Sequence, residues 1–189
     1  MTIPNLLTML RFALVPVVIW AISSDQNVIA FAVFVVAGLT DGIDGFIAKR
    51  WAMASQLGAY LDPLADKALL VSIFVALGVA GELPVWLVGI VVARDVLIVG
   101  AVVLSSLMGR AIAIRPLLVS KVTTVVQILL VALVLADLAF GLDLLRERAA
   151  VTLIVAGLTV ISAAAYLVTW LRHMSEPPVT EFPGEDPLT

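Results

Sequence analysis

Cysteine is absent from this 189-residue chain, and histidine occurs once, at position 173. The lack of cysteine excludes disulfides, thiolate metal sites and cysteine nucleophiles. A single histidine excludes metal sites and phosphoryl-transfer sites that need paired imidazoles. Charged residues are also scarce, at 13%, against 62% hydrophobic residues and a mean hydropathy of +1.17. Because soluble domains carry far more charge, this composition indicates a polytopic membrane protein.

Six apolar segments are long enough to cross a membrane, which takes about 20 mostly apolar residues each. We therefore predict an all-α protein with six transmembrane helices in one domain over 1–174. The tail at 175–189 holds four prolines and four acidic residues, and it is expected to be disordered because it can bury little apolar surface. The predicted spans are Leu6–Ile22, Val28–Lys49, Gly58–Val79, Pro84–Met108, Leu118–Phe140 and Ala149–Arg172.

The basic residues are unevenly placed relative to these spans. Eight fall on one side of the predicted bundle or near it, two fall on the other side, and Arg94 lies within a span. Because basic loops are retained in the cytoplasm, both termini are expected there. The loops at 23–27, 81–84 and 141–148 should then face the opposite side. We expect an integral protein of a bacterial inner membrane.

Four aspartates stand close together in the stretch "DGIDGFIAKRWAMASQLGAYLDPLADK". Asp41 and Asp44 are three residues apart and Asp62 and Asp66 are four apart, so each pair shares one face of its helix. Four such carboxylates cannot all stay ionised and unpaired near a membrane. Hard divalent cations suit clustered carboxylate oxygens. The pattern predicts a metal site facing the cytoplasm, whereas an exposed acidic loop would not need two pairs in helical register.

Small residues accompany the aspartates. Glycines at 42, 45 and 58, with Ala48, would clear backbone surface for a bulky anionic ligand, although helix packing in membranes also uses small residues. A rival function is an ion or proton transporter that uses the carboxylates as a relay. Transporters place such residues near the membrane midplane, whereas these four aspartates fall within 26 residues close to one face.

The aspartate-rich stretch resembles the signature of the CDP-alcohol phosphotransferases, membrane enzymes that transfer a substituted phosphoryl group from a CDP-linked donor to an alcohol. Seven of the eight defined positions match, and the eighth is lysine where the family usually has arginine. That lysine keeps the charge but loses the planar fork. The segment "IPNLLTMLR" also resembles the family, so the likeness runs from the start to about residue 127. The pattern is Asp41-x2-Asp44-Gly45-x2-Ala48-Lys49-x8-Gly58-x3-Asp62-x3-Asp66.

The resemblance implies an enzyme, usually homodimeric, that uses CDP-diacylglycerol and two divalent cations, Mg²⁺ or Mn²⁺. It implies that Asp41, Asp44 and Asp62 hold the metals. Asp66 would serve at the second metal and as the base for the acceptor hydroxyl. No nucleic-acid partner is expected. The residues implied to bind the donor are Gly45, Ala48, Lys49 and Gly58.

Two acceptors remain open: phosphatidylglycerol, which would give cardiolipin, and glycerol 3-phosphate, which would give phosphatidylglycerophosphate. The segments "VARDVLIVGAVV" and "IRPLLVSKVTTVVQILLVA" look more like the mitochondrial-type cardiolipin synthases than the glycerophosphate enzymes, which tend to carry glutamate in place of Asp95. We therefore expect cardiolipin synthesis. Both acceptors bear a phosphate. The basic residues expected to meet it are Arg110, Arg115 and Lys121.

Polar residues within apolar spans need partners. Arg94 and Asp95 interrupt the fourth span, and we weigh a structural ion pair between helices against a supporting role in the active site. The fifth span carries a polar face that favours a bound anion. Asp137, near the far end of the same span, is expected to be alone and solvated. The residues of the polar face are Ser120, Lys121, Thr124 and Gln127.

Overall fold

The computed structural model describes residues 3–51, 56–107 and 118–175. These residues form α-helices and turns, and no strand occurs among them. Each predicted span falls on one helix, so the all-α prediction is confirmed. The helices are α1 Ile3–Ser23, α2 Asn27–Trp51, α3 Gln56–Val79, α4 Val85–Leu107, α5 Leu118–Phe140 and α6 Leu145–Ser175.

Within the described ranges, three short turns join α1 to α2, α3 to α4 and α5 to α6, at the "SSDQN", "GELP" and "GLD" stretches. Asp25 and Asp143 both adopt the left-handed conformation with φ of 56°, which aspartate tolerates better than most residues. Gly81 ends α3 with φ of 82°, and the next amide, that of Glu82, donates to the carbonyl of Leu77 at 2.9 Å. These turn residues stop each helix and send the chain back along the bundle.

The bundle packs α1 against α2 and α3, α5 against α2, α3 and α6, and α4 against α3 and α6. Its core consists of aliphatic side chains from several helices, with one phenylalanine at its centre. At the α3–α4 contact, a Cβ added to Gly78 would lie 2.7 Å from Cγ2 of Val88, so close approach of these two helices requires glycine there. Fully buried core residues include Val18, Ile73, Phe74, Leu77, Leu87, Leu130, Val134 and Val155.

Two helices among the described residues are long and apolar enough to cross a membrane: Leu118–Phe140 and Leu145–Leu171. Shorter apolar helical segments cover Phe12–Ser23, Asn27–Thr40 and Lys67–Val79. The six-helix count of the prediction is therefore confirmed, whereas six membrane spans are not. Large apolar side chains are exposed along the outer faces of all six helices, as expected where lipid is the solvent.

The start of α6 differs from the prediction. The helix begins at Leu145, four residues before the expected Ala149, and the amide of Arg148 already donates to the carbonyl of Leu144 at 2.8 Å. Leucine, arginine and glutamate are good helix formers, and Glu147 in the first turn complements the helix dipole. Residues 145–148 were expected in a loop because three of the four are charged, but charge does not end a helix.

The prediction that Asp137 is alone is wrong. Its Oδ2 accepts a hydrogen bond from NH1 of Arg148 at 3.0 Å, and its Oδ1 accepts the amide of Leu144 at 3.1 Å. The side chain is only 11% exposed. Arg148 lies eleven residues further along the chain, beyond the turn into α6, so no local spacing announced the pair.

Candidate active site

The four aspartates lie on two consecutive helices, as the spacing predicts. Asp41 and Asp44 are helical positions of α2, and Asp62 and Asp66 are helical positions of α3. Because only four residues separate the end of α2 from the start of α3, the two pairs are expected at the same end of the bundle. The side chains from 41 to 66 lie outside the described residues, so the metal site stays a prediction.

The other residues assigned to the donor fall on the same two helices. Positions 45, 48 and 49 are helical in α2 and position 58 is helical in α3, and their side chains are likewise outside the described part. Two of the basic residues assigned to the acceptor phosphate, Arg110 and Arg115, also lie outside the described residues. The third, Lys121, is described and is exposed on the first turn of α5.

Lys67, which directly follows Asp66, enters an ion-pair network with α4. Its Nζ donates to Oδ1 of Asp95 at 2.5 Å. NH1 of Arg94 donates to the same oxygen, also at 2.5 Å. Arg94 and Asp95 therefore bond to each other within α4, and Asp95 also joins α4 to α3 through Lys67. We call Lys67, Arg94 and Asp95 the central network.

Arg94 extends the central network to the other half of the bundle. Its NH2 donates to Oγ of Ser120 on α5 at 2.5 Å. Its Nε and NH2 both donate to Oγ of Ser162 on α6, at 3.3 and 3.0 Å. The guanidinium is thus surrounded by polar partners, as burial of a charged group requires, and only 1% of its side chain is exposed.

The central network holds more positive than negative charge. Lys67 and Arg94 are two cations, and they share one carboxylate, that of Asp95. A net positive charge in a helix bundle is costly unless an anion faces it. The side chain of Lys67 is the exposed member, at 35%, so its ammonium group is the accessible cation of the network.

A cavity of about 170 Å³ lies beside the central network, between α2, α3, α4 and α5. Its polar lining is contributed by Lys67, Asp95, Thr124 and Gln127, and its apolar walls include Phe34, Leu70 and Ile73. Gly38 on α2 also lines it, one helical turn before Asp41. The cavity therefore extends from the aspartate-rich segment into the apolar part of the bundle.

The polar face of α5 is only partly free for a ligand. The amide nitrogen of Gln127 donates to Thr159 of α6 at 3.3 Å, and Ser120 accepts from Arg94. Thr123, which the sequence pattern did not single out, is fully buried, and its hydroxyl oxygen lies 2.8 Å from the carbonyl of Val119 and 3.2 Å from that of Leu158, so its one proton is shared between or directed to one of them. Much of this polarity therefore joins α5 to its neighbours, and Thr124 lines the cavity.

A second ion-pair network lies at the opposite end of the bundle. Arg148 on α6 donates to Asp137 at 3.0 Å and to Oε2 of Glu82 at 2.8 Å. It also donates to the backbone carbonyl of Glu82 at 2.8 Å. We call these three residues the turn network, because they join the α3–α4 turn to the α5–α6 turn. Sequence spacing could not reveal it, since Glu82 and Arg148 are 66 residues apart.

Comparison with known proteins gives a consistent family. The family model described as CDP-alcohol phosphatidyltransferase matches residues 1–172. The chain is 41% identical over 156 residues to "Cardiolipin synthase (CMP-forming)" of Rattus norvegicus, which covers 74% of this chain and 52% of the relative. The Homo sapiens protein of the same name gives the same identity and coverage.

A bacterial relative matches over more of its own length. The chain is 34% identical over 178 residues to "Probable phosphatidylglycerophosphate synthase" of Mycobacterium tuberculosis (strain ATCC 25618 / H37Rv), covering 90% of this chain and 82% of the relative. By contrast, the chain spans about half the length of the rat and human relatives. The family match covers both aspartate pairs and the central network, and the chain belongs to the CDP-alcohol phosphatidyltransferase family.

Proposed function

We propose that the protein transfers a phosphatidyl group from CDP-diacylglycerol to an alcohol and releases CMP. The observation that carries this proposal is the eight-position signature from Asp41 to Asp66, set in helical register on α2 and α3 within a family match over 1–172. The alternative of a carboxylate-relay transporter has no support from the family or from the relatives named above.

The aspartates fit a pair of divalent cations by their chemistry. They supply anionic oxygen ligands at one-turn spacing on two helices joined by four residues, and oxygen donors are what Mg²⁺ and Mn²⁺ prefer. In this proposal Asp41, Asp44, Asp62 and Asp66 hold two such ions. When bound, the ions would neutralise pyrophosphate charge and make the phosphorus more electrophilic.

The protein residues then have separate tasks in the transfer. The nucleotide and pyrophosphate of the donor are accommodated by Lys49, Gly58, Gly45 and Ala48. Asp66 accepts the proton of the acceptor hydroxyl, since the only histidine lies beyond the sixth span at 173. The acceptor oxygen forms a bond to the phosphatidyl phosphorus. The bond from that phosphorus to the bridging pyrophosphate oxygen breaks, and CMP leaves with that oxygen.

We propose phosphatidylglycerol as the acceptor and cardiolipin as the product. The 41% identity to the rat and human proteins named cardiolipin synthase supports this choice. So does the cavity, whose walls are largely apolar beside a polar end, as a lipid acceptor requires. Glycerol 3-phosphate is the second candidate, supported by the 34% identity to the mycobacterial phosphatidylglycerophosphate synthase.

The proposed setting is a bacterial inner membrane crossed by all six helices, with the aspartates at the cytoplasmic face and two copies forming a homodimer. The positive-inside distribution of basic residues supports this orientation. Because the chain has no cysteine, single cysteines placed at 24, 82 and 143 are unique reporters. They should react with an impermeant maleimide in intact cells, whereas reaction at 112 instead would reverse the orientation.

An acceptor screen tests the proposed function. Purified protein, CDP-diacylglycerol and Mg²⁺ or Mn²⁺ are incubated separately with phosphatidylglycerol, glycerol 3-phosphate, serine and inositol, and the lipids are identified by mass spectrometry. Cardiolipin from phosphatidylglycerol is the expected product. Efficient turnover of glycerol 3-phosphate with phosphatidylglycerol inert would replace the cardiolipin assignment by phosphatidylglycerophosphate synthesis. Release of CMP with neither acceptor would contradict both.

A further inference from the structure

We propose that the Lys67 ammonium binds the phosphate of the acceptor, and that Asp95 is the positioning residue that holds it at the polar end of the cavity. This inference rests on the proposed function and adds a specificity-determining contact to it. Neither residue belongs to the eight-position signature. The phosphate concerned is common to phosphatidylglycerol and glycerol 3-phosphate, so the Lys67 contact is expected with either, while the apolar walls of the cavity favour phosphatidylglycerol.

The ammonium group of Lys67 is held at one place in the cavity. Lys67 lines the cavity, and its Nζ is fixed by the Asp95 carboxylate at 2.5 Å. Lysine has a flexible stem with costly rotamer freedom, so a lysine that must meet a ligand in one place benefits from such an anchor. Asp95 is itself held by Arg94, which is fixed in turn by Ser120 and Ser162.

The charge of the central network favours an anion beside Lys67. Among the described side chains, two cations share the Asp95 carboxylate, so the central network by itself carries one excess positive charge. Arg94 cannot present that charge to a ligand because it is 2% exposed and surrounded by helix partners. Lys67 can, because more than a third of its side chain is open. The cavity end formed by Lys67 therefore favours an anion.

The surroundings of Lys67 indicate which anion it binds. Lys67 follows Asp66, the proposed base for the acceptor hydroxyl, by one residue. The cavity that leads away from it is walled by Phe34, Leu70 and Ile73, which suits the apolar part of an amphiphile. An anionic group at the polar end with apolar groups behind it describes a phospholipid acceptor better than a nucleotide.

Steady-state kinetics of five variants tests the inference. Lys67→Met should raise the acceptor KM by about tenfold or more, the size of effect expected when a hydrogen bond to a charged group is lost. Its kcat, the donor KM and the metal concentration for half-maximal rate should each stay within about twofold of the wild-type values. Lys67→Arg should recover most of the affinity, because it restores the charge.

Asp95→Asn separates positioning from simple electrostatics. It removes a negative charge, so an electrostatic effect alone would tighten phosphate binding and lower the acceptor KM. A positioning role predicts a rise of about tenfold, with Asp95→Glu intermediate because it keeps the charge but shifts it by one methylene. Asp137→Asn, which changes the matching carboxylate of the turn network, should leave the acceptor KM unchanged. If Asp95→Asn does not accumulate, Asp95→Glu carries the same test at about threefold.

A binding measurement keeps this inference distinct from the proposed function. Calorimetry should show that the wild type binds dihexanoyl phosphatidylglycerol more tightly than dihexanoylglycerol, which lacks the phosphate, and that Lys67→Met loses this preference. If no acceptor releases CMP yet the preference depends on Lys67, the proposed function fails and the phosphate site stands. A preference unaffected by Lys67→Met, or an unchanged acceptor KM with an altered metal requirement, would overturn the phosphate site and make Lys67 a counter-charge to the aspartates.

Discussion

The central network and the turn network are built from the same parts but balance charge in opposite ways. Each has one arginine that joins three helical elements or turns. In the turn network two carboxylates share one guanidinium, whereas in the central network two cations share one carboxylate. The turn network also satisfies backbone groups, namely the carbonyl of Glu82 and the amide of Leu144.

We infer from this difference that the turn network stabilises the bundle, whereas the central network is placed to bind a ligand. Every hydrogen bond of Arg148 is directed to a turn or a helix end, and those contacts close the end of the bundle where α3, α4, α5 and α6 meet. The central network instead places an ammonium group beside a cavity next to the aspartate-rich segment. Among the described side chains the central network has one cation in excess, and in the proposed function a phosphate-bearing substrate would offset it.

The largest expected effects come from the aspartate segment itself. Asp41→Asn, Asp44→Asn, Asp62→Asn and Asp66→Asn should each reduce CMP release by about a hundredfold or more, through lost metal affinity for the first three and a lost base for the last. Asp143→Asn is the matched control. It lies in the α5–α6 turn with φ of 56°, where asparagine fits equally well, and should keep full activity.

Arg94→Met should be the more damaging of the two arginine substitutions. It leaves Asp95 with one cation and deprives Ser120 and Ser162 of their donor, and breaking a buried ion pair costs about 3–5 kcal/mol. We expect a strongly lowered unfolding temperature in detergent together with a raised acceptor KM. A variant with normal stability and a normal acceptor KM would show that Arg94 neither holds the helices together nor fixes Asp95 for Lys67.

Arg148→Met should affect stability alone. The arginine side chain is 14% exposed, and its removal leaves Asp137 and a turn carbonyl with fewer partners, at a cost of about 1–3 kcal/mol. Thermal unfolding should shift downward while kcat and both KM values, measured well below the transition, stay at wild-type levels. Altered acceptor affinity in this variant would mean that the turn network also serves the site.

The smallest expected effect concerns the neutral polar contacts between α5 and α6. Thr123→Val keeps a branched side chain but removes the hydroxyl that lies near the Val119 carbonyl within α5 and the Leu158 carbonyl of α6, so one contact between the two helices is lost. Such interhelical hydrogen bonds contribute about 0.6 kcal/mol on average in membrane bundles. A small fall in unfolding temperature with unchanged kinetics is expected. A fall as large as that of Arg148→Met would mean that the neutral hydrogen bond between α5 and α6 stabilises the bundle as much as the turn network does.

The helices were predictable because each one is coded locally. Apolar segments, glycine turns and the aspartate at position 25 define elements that the structure reproduces except at some ends. The helix α6 begins four residues before the prediction, where charged helix formers were read as a loop, and α1 begins three residues before it. The helical placement of both aspartate pairs was predictable for the same reason. Their convergence on metals stays a prediction, since those side chains lie outside the described residues.

The two networks could not be predicted in detail. Lys67 and Asp95 are 28 residues apart, and Glu82 and Arg148 are further apart still, so helix packing decides which charges meet. Asp137 looked solitary because its partner lies beyond a turn. Sequence did give one useful signal: an ionisable residue inside an apolar span needs a partner, and both Arg94 and Asp95 have one.

Phosphatidyl transfer at the aspartate segment requires that CMP and cardiolipin form together in one reaction. Purified protein is given CDP-diacylglycerol, Mn²⁺ or Mg²⁺ and phosphatidylglycerol, and CMP and cardiolipin are quantified together by mass spectrometry. The two products should appear in equal molar amounts, and neither should form with Asp66→Asn or with excess chelator. Release of CMP with phosphatidic acid in place of cardiolipin, or undiminished turnover in chelator, would contradict the account.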